Sequence, residues 1–113
     1  MRKIVYTAGV FDLLHEGHLN IIKESKKLGD ILVVGVVSDA GAEAYKRRPM
    51  FNQKQRLAQV QSLKDVDLAI IQETTDPLRE LSVIRPQIFT HGSDWDRLKQ
   101  GHETLEANGI QYV

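Results

Sequence analysis

Lys3–Leu28, KIVYTAGVFDLLHEGHLNIIKESKKL, reads as a strand, a turn and a helix in one continuous run. The β-branched stretch Lys3 to Thr7 is the strand. From Gly17 onward Ile21, Ile22, Ser25 and Leu28 recur on one helical face, and Gly29 is placed to cap the helix. Outward from it, Ile31 to Val37 (ILVVGVV) is nearly continuous in apolar residues, as a parallel strand covered on both faces requires. Asn52 followed by Gln55 has the form of a capping box, and Leu57, Val60 and Leu63 continue a helix. Leu68 to Ile71 is a third strand. Asp76 as N-cap and Pro77 at the first helical position open a helix through Leu78, Leu81 and Ile84, which Pro86 ends. Ile88 to Thr90 is a fourth strand, Asp96 to Asn108 a last helix, and Ile110 to Val113 a fifth strand. Strands separated by helices of this length define an α/β fold, a doubly wound parallel sheet in one domain.

The 113 residues carry fifteen basic and fifteen acidic side chains, so no global field favours nucleic acid or an anionic membrane. With no cysteine, disulfides and zinc–thiolate sites are excluded. No apolar run is long enough to span a bilayer and no signal peptide is apparent, so a cytoplasmic protein without membrane insertion is expected.

In doubly wound sheets ligands sit beyond the carboxyl ends of the strands. Four segments fall there: Ala8–His18, Ser38–Met50, Glu73–Asp76 and His91–Trp95. In the first, His15 and His18 open a helix whose free N–H groups attract anions, and Gly9 and Gly17 allow close backbone approach. Zinc is disfavoured, since only His91 offers a third ligand. Asp12 could meet magnesium, accept a proton or cap a turn, while Phe11, Leu13 and Leu14 pack beneath. The second segment carries Lys46-Arg47-Arg48 in a glycine- and alanine-rich stretch (GAEAYKRRP) read as a loop able to fold over a pocket. Arg56 lies unfavourably in the first turn of its helix, which calls for an anionic ligand nearby or a pair with Glu43 or Asp65. Ser38 and Asp39 could contact a substrate hydroxyl, and Trp95 could stack on a base.

GVFDLLHEGH resembles the GxFDxxHxGH signature of the cytidylyltransferase-like nucleotidyltransferases, a superfamily that includes glycerol-3-phosphate, phosphocholine, phosphoethanolamine and phosphonoalkyl cytidylyltransferases. The likeness runs from Lys3 to Val113 through Ser38-Asp39, Tyr45 to Pro49, the helix start ending at Arg56, and His91-Gly92-Ser93-Asp94-Trp95. It implies a Rossmann-like fold in which His15, His18 and Lys46 (or Arg47) act on the transferring phosphates. It implies nucleotide contacts from Gly9, Val10, Phe11, Gly17, His18, Arg56, His91, Gly92, Ser93 and Asp94. Asp12, Asp39, Lys46 and Trp95 fall toward the acceptor. The implied reaction moves CMP from CTP to a small phosphorylated alcohol or phosphonate such as glycerol 3-phosphate, releasing pyrophosphate. Magnesium would be carried on the nucleotide phosphates, in a homodimer. Val10 departs from the commoner threonine and matches heptose-phosphate adenylyltransferase domains, which makes ATP on a sugar phosphate the alternative. The family's C-terminal ISTT-like motif is not found before Val113, so the chain is expected to continue or to be a non-catalytic nucleotide-binding domain.

Overall fold

The computed structural model describes residues 2–91 and 111–112. Five strands, β1 (Ile4–Gly9), β2 (Ile31–Val37), β3 (Leu68–Gln72), β4 (Ile88–His91) and β5 (Gln111–Tyr112), form one sheet in the order β3-β2-β1-β4-β5. Every neighbouring pair is parallel. The chain winds outward from β1 to β3, then crosses to the other side for β4 and β5. β1 and β4 therefore flank the switch point, where the crevice of such a sheet opens.

Period-2 alternation divides the core between the two faces. Val5, Leu32, Val34, Val36 and Ile88 pack with Ile22 of α1 (Glu16–Lys26) and Val60 of α3 (Gln53–Gln61). Tyr6, Val33 and Phe89 face the other way and pack with Leu81 of α4 (Leu78–Ile84). Tyr6 donates to Gln72 Oε1 at 2.6 Å inside this second layer. Gly35 makes the room, since a Cβ there would collide with the Tyr6 hydroxyl. Burial, and secondarily the charge of Glu80, hold that phenol well above its ordinary range.

Several elements depart from the sequence expectation for identifiable reasons. The stretch GAEAYKRRP from Gly41, read as a loop, begins inside a helix, α2 (Asp39–Tyr45). The Ser38 hydroxyl accepts from Gly41 N at 3.0 Å as N-cap and donates to Glu73 O at 2.6 Å. Gly41 serves close packing rather than a turn, because a Cβ there would meet Glu73 O. Pro77, not Asp76, occupies the N-cap of α4, yet the Asp76 carboxylate still accepts from Leu78 N at 3.0 Å. That helix ends in left-handed Arg85 (φ 51°), one residue ahead of Pro86. The first helix ends at Lys26 with a right-handed C-cap at Lys27, and Gly29 instead lets the chain pass Lys3 O. Leu63 packs on the core from beyond the end of α3. The helix expected over Asp96 to Asn108 lies outside the described residues.

Candidate nucleotide site

Past the end of β1 the backbone enters the left-handed region twice, at Phe11 (φ 54°) and Leu13 (φ 52°). Each such non-glycine residue costs about 1–3 kcal/mol and is kept where surrounding structure over-determines it. Phe11 is 4% exposed and packs in the core beneath the turn. Gly9 allows this tuck, as a Cβ there would lie 3.1 Å from the Phe11 ring.

His15 is the N-cap of α1. Its Nδ1 accepts from Gly17 N at 3.0 Å, and His18 Nδ1 accepts from His15 N at 3.4 Å, a capping box built from two imidazoles. Gly17 is needed here, because a Cβ would stand 2.9 Å from the His15 ring. With both Nδ1 atoms accepting main-chain protons, each neutral ring carries its own proton on Nε2, as a donor left for a ligand. The rings stack at 3.9 Å between centroids, and Phe11 meets His18 edge-on at 5.4 Å. Burial first, then the His15 charge, lower the His18 pKa from its ordinary value, against an opposing pull from Asp12.

The two histidines line a cavity of about 420 Å³ that is also lined by Ala8 and Gly9 of β1, Val37 of β2, Gln72 of β3 and Phe89 of β4. Lys46 and Arg47 line it too, exposed and with no ion-pair partner among the described residues. Two imidazole donors and two cations lining one cavity supply the kind of charge and hydrogen-bond donors that a polyphosphate requires. The rest of the wall is largely apolar or aromatic, from Ala8, Ala42, Tyr45, Pro77 and Phe89. Ala8, Ala42 and Tyr45 fall in the segments the sequence places beyond the strand ends, though none was singled out as a site residue, while Pro77 and Phe89 lie outside those segments. Gln72, the buried polar end of β3, was not singled out either, and its amide bonds to Tyr6 and to Thr74 O.

Arg56 does not sit where the sequence placed it. It is fully buried and pairs with Asp39 at 2.7 Å rather than with Glu43 or Asp65. Its other described bonds run to Val10 O, Val37 O and Phe51 O, so it underpins the site instead of facing a ligand. Burial would raise the Asp39 pKa, but hydrogen bonds from the Arg56 side chain and the Gln53 backbone, with the charges of Arg56 and Arg48, outweigh it and the carboxyl lies below its ordinary value. Asp39 is thus engaged internally and is absent from the cavity wall. Asp12 lines the cavity, but its two carboxylate oxygens accept from Met50 N (2.9 Å) and Phe51 N (3.1 Å). Val10, Gly9 and Phe11 line the cavity, and Gly17 shapes the histidine cap. His91 ends β4 beside Ala8, while Gly92, Ser93, Asp94 and Trp95 lie outside the described residues. Among the described residues no group of three His, Asp or Glu side chains could hold a metal, and no helix is long and apolar enough to cross a membrane.

A parallel sheet with a cationic, imidazole-capped cavity at its switch point defines a phosphate-handling α/β domain. The chain belongs to the cytidylyltransferase-like family, whose model matches residues 6–113. It is 50% identical over 92 residues to an FAD synthase of Methanosphaerula palustris, covering 81% of this chain and 59% of that protein. It is 40% identical over 96 residues to the bifunctional protein HldE of Helicobacter pylori strain G27, covering 83% of this chain and 21% of that protein. The chain therefore spans less than two thirds of these curated relatives. A solved lipopolysaccharide core biosynthesis protein from Thermoplasma volcanium superposes with a TM-score of 0.87 at 37% identity, covering 100% of this chain and 95% of that one.

Proposed function

We propose that this chain transfers AMP from ATP to the phosphate of a small acceptor, with flavin mononucleotide the acceptor that fits best. The observation that carries the transfer is the stacked His15–His18 pair, two Nε2–H donors held by main-chain bonds in a cavity that the exposed Lys46 and Arg47 also line. The name of the FAD synthase relative supports ATP over CTP, since FAD is flavin mononucleotide joined to AMP. Val10 in the signature agrees with that choice.

In the proposed step an oxygen of the acceptor phosphate attacks the α-phosphorus in line. The bond from that phosphorus to the bridging oxygen breaks, and pyrophosphate leaves with the electron pair. A phosphate monoester is already anionic at pH 7, so no general base is needed and Asp12 is given no such role. His15, His18 and Lys46 position the phosphates and neutralise the charge that builds up. Magnesium carried on the nucleotide would add further charge neutralisation.

The cavity wall supports this choice of acceptor. A sugar phosphate needs side chains that hydrogen-bond its hydroxyls, and a site so built discriminates strongly. Among the described wall residues the carboxylate of Asp12 and the amide of Gln72 are engaged internally, leaving few uncharged groups beyond the Thr75 hydroxyl for a sugar, while Ala8, Ala42, Pro77 and Phe89 suit a flat aromatic ring system. The solved relative from lipopolysaccharide core biosynthesis supplies the competing reading, a sugar phosphate. The full-length protein should be incubated with ATP or CTP, magnesium, and flavin mononucleotide, a heptose phosphate or glycerol 3-phosphate. Pyrophosphate release and product mass are then measured. FAD from the first pair is expected; an AMP-sugar would replace the acceptor, and a CMP adduct would overturn the choice of ATP.

A further inference from the structure

We propose that Asp12 is a positioning residue: its carboxylate latches the segment carrying Lys46 and Arg47 against the signature turn. This rests on the reading above only in assigning those cations to the nucleotide phosphates. After Tyr45 the basic segment leaves α2 with Lys46 N bonded to Ala42 O at 2.9 Å. It re-enters regular structure at Asn52, the N-cap of α3. Between these points Lys46, Arg47 and Arg48 are all exposed. The far end is gripped from both polarities. Asp12 takes the N–H groups of Met50 (2.9 Å) and Phe51 (3.1 Å), and Arg56 Nε donates to Phe51 O at 3.0 Å.

Left-handed Phe11 and Leu13 bracket Asp12, and Arg56 also holds Val10 O at 2.8 Å. One arginine and one carboxylate thus join the histidine turn to the cationic segment across about forty positions of sequence. Asn in place of Asp12 has one acceptor oxygen and would turn its NH2 toward one of the two N–H groups, so it loses at least one charge-assisted bond. A carboxylate with two backbone N–H partners is poorly placed to serve as an acceptor ligand, which separates this role from the one implied by family resemblance.

The test is Asp12→Asn in the full-length protein, read by limited trypsin digestion, which cuts after Lys46 and Arg47 but not before Pro49. Cleavage there should quicken about tenfold, as proteolysis follows the opened population. KM for ATP should rise by a larger factor than kcat falls. Cleavage at the wild-type rate with activity lost would overturn the proposal and assign Asp12 to the ligand. If the variant fails to fold, amide exchange in the wild-type protein decides. Met50 and Phe51 N–H should exchange at least about tenfold more slowly than Arg47 and Arg48 N–H, and equal rates would overturn the latch. Digestion and exchange need no turnover, so a wrong reaction and a wrong latch give different results.

Discussion

The turn after β1 and the segment after β2 reach the same cavity but are held by opposite means. The histidine cap of the turn is held locally: His15, Gly17 and His18 bond to one another within four residues. The basic segment depends on others, Asp12 from the turn and buried Arg56 from α3. Local bonds place donors accurately where charge develops. Borrowed anchors leave exposed cations free to follow a ligand's phosphates. The difference teaches which cation is committed to the fold, buried Arg56, and which are left exposed at the cavity, Lys46 and Arg47, although all come from one stretch of chain.

Replacing each cation breaks the comparison most sharply. Arg56→Met strands Asp39 and three carbonyls, one at the end of β2 and one just past β1, and should cost about 3–5 kcal/mol, read from the urea midpoint. Lys46→Met, at an exposed position, should shift stability by less than about 0.5 kcal/mol while raising KM for ATP. Equal losses of stability would erase the distinction. On the turn side, His18→Ala should lower turnover by about 10²–10³ with a smaller change in ATP affinity. Unchanged turnover in the full-length variant would remove His18 from the chemistry.

Gly17→Ala sharpens the same point by separating stability from activity. The new methyl group meets the His15 ring at 2.9 Å and must displace it, breaking the cap bond. Losing a cap costs about 0.5–2 kcal/mol, while alanine recovers up to about 1 kcal/mol of helix propensity. Stability should therefore change little by calorimetry. Turnover should fall about 10–100-fold, because misplacing one donor by an ångström is enough.

Much of this was legible in the sequence where the cause is local. The apolar run of β2 and the Asn52–Gln55 capping box match the structure, the latter at 2.8 and 3.0 Å. What was hidden depends on distant partners. Gly41 reads as a loop glycine until Glu73 O is seen against it. Arg56 reads as a ligand-facing or surface cation, since nothing near it in sequence announces Val10 O, Val37 O and Asp39. The histidines were visible as a pair. Their tautomers were not, because histidine is not a usual N-cap and the cap geometry is what fixes Nδ1 as acceptor.

The smallest expected effect tests that geometry by pH. His18 is held below its ordinary value of 6.5 by burial and by His15, so the folded state resists a proton that the unfolded chain accepts. Its contribution to stability is complete above the unfolded value and is lost as pH falls from about 6.5 through the lower folded value. Protonation would fill Nδ1, which the His15 N–H needs as acceptor, and would place a charge 3.9 Å from the neighbouring ring. Unfolding free energy measured between pH 7.5 and 5.5 should therefore decline toward acid, by no more than about 1.4 kcal/mol per pH unit for one proton. His18→Ala should flatten that decline. An equal slope in the variant would show that the imidazole stack does not govern the proton uptake, and that the histidine cap is held less locally than its hydrogen bonds imply.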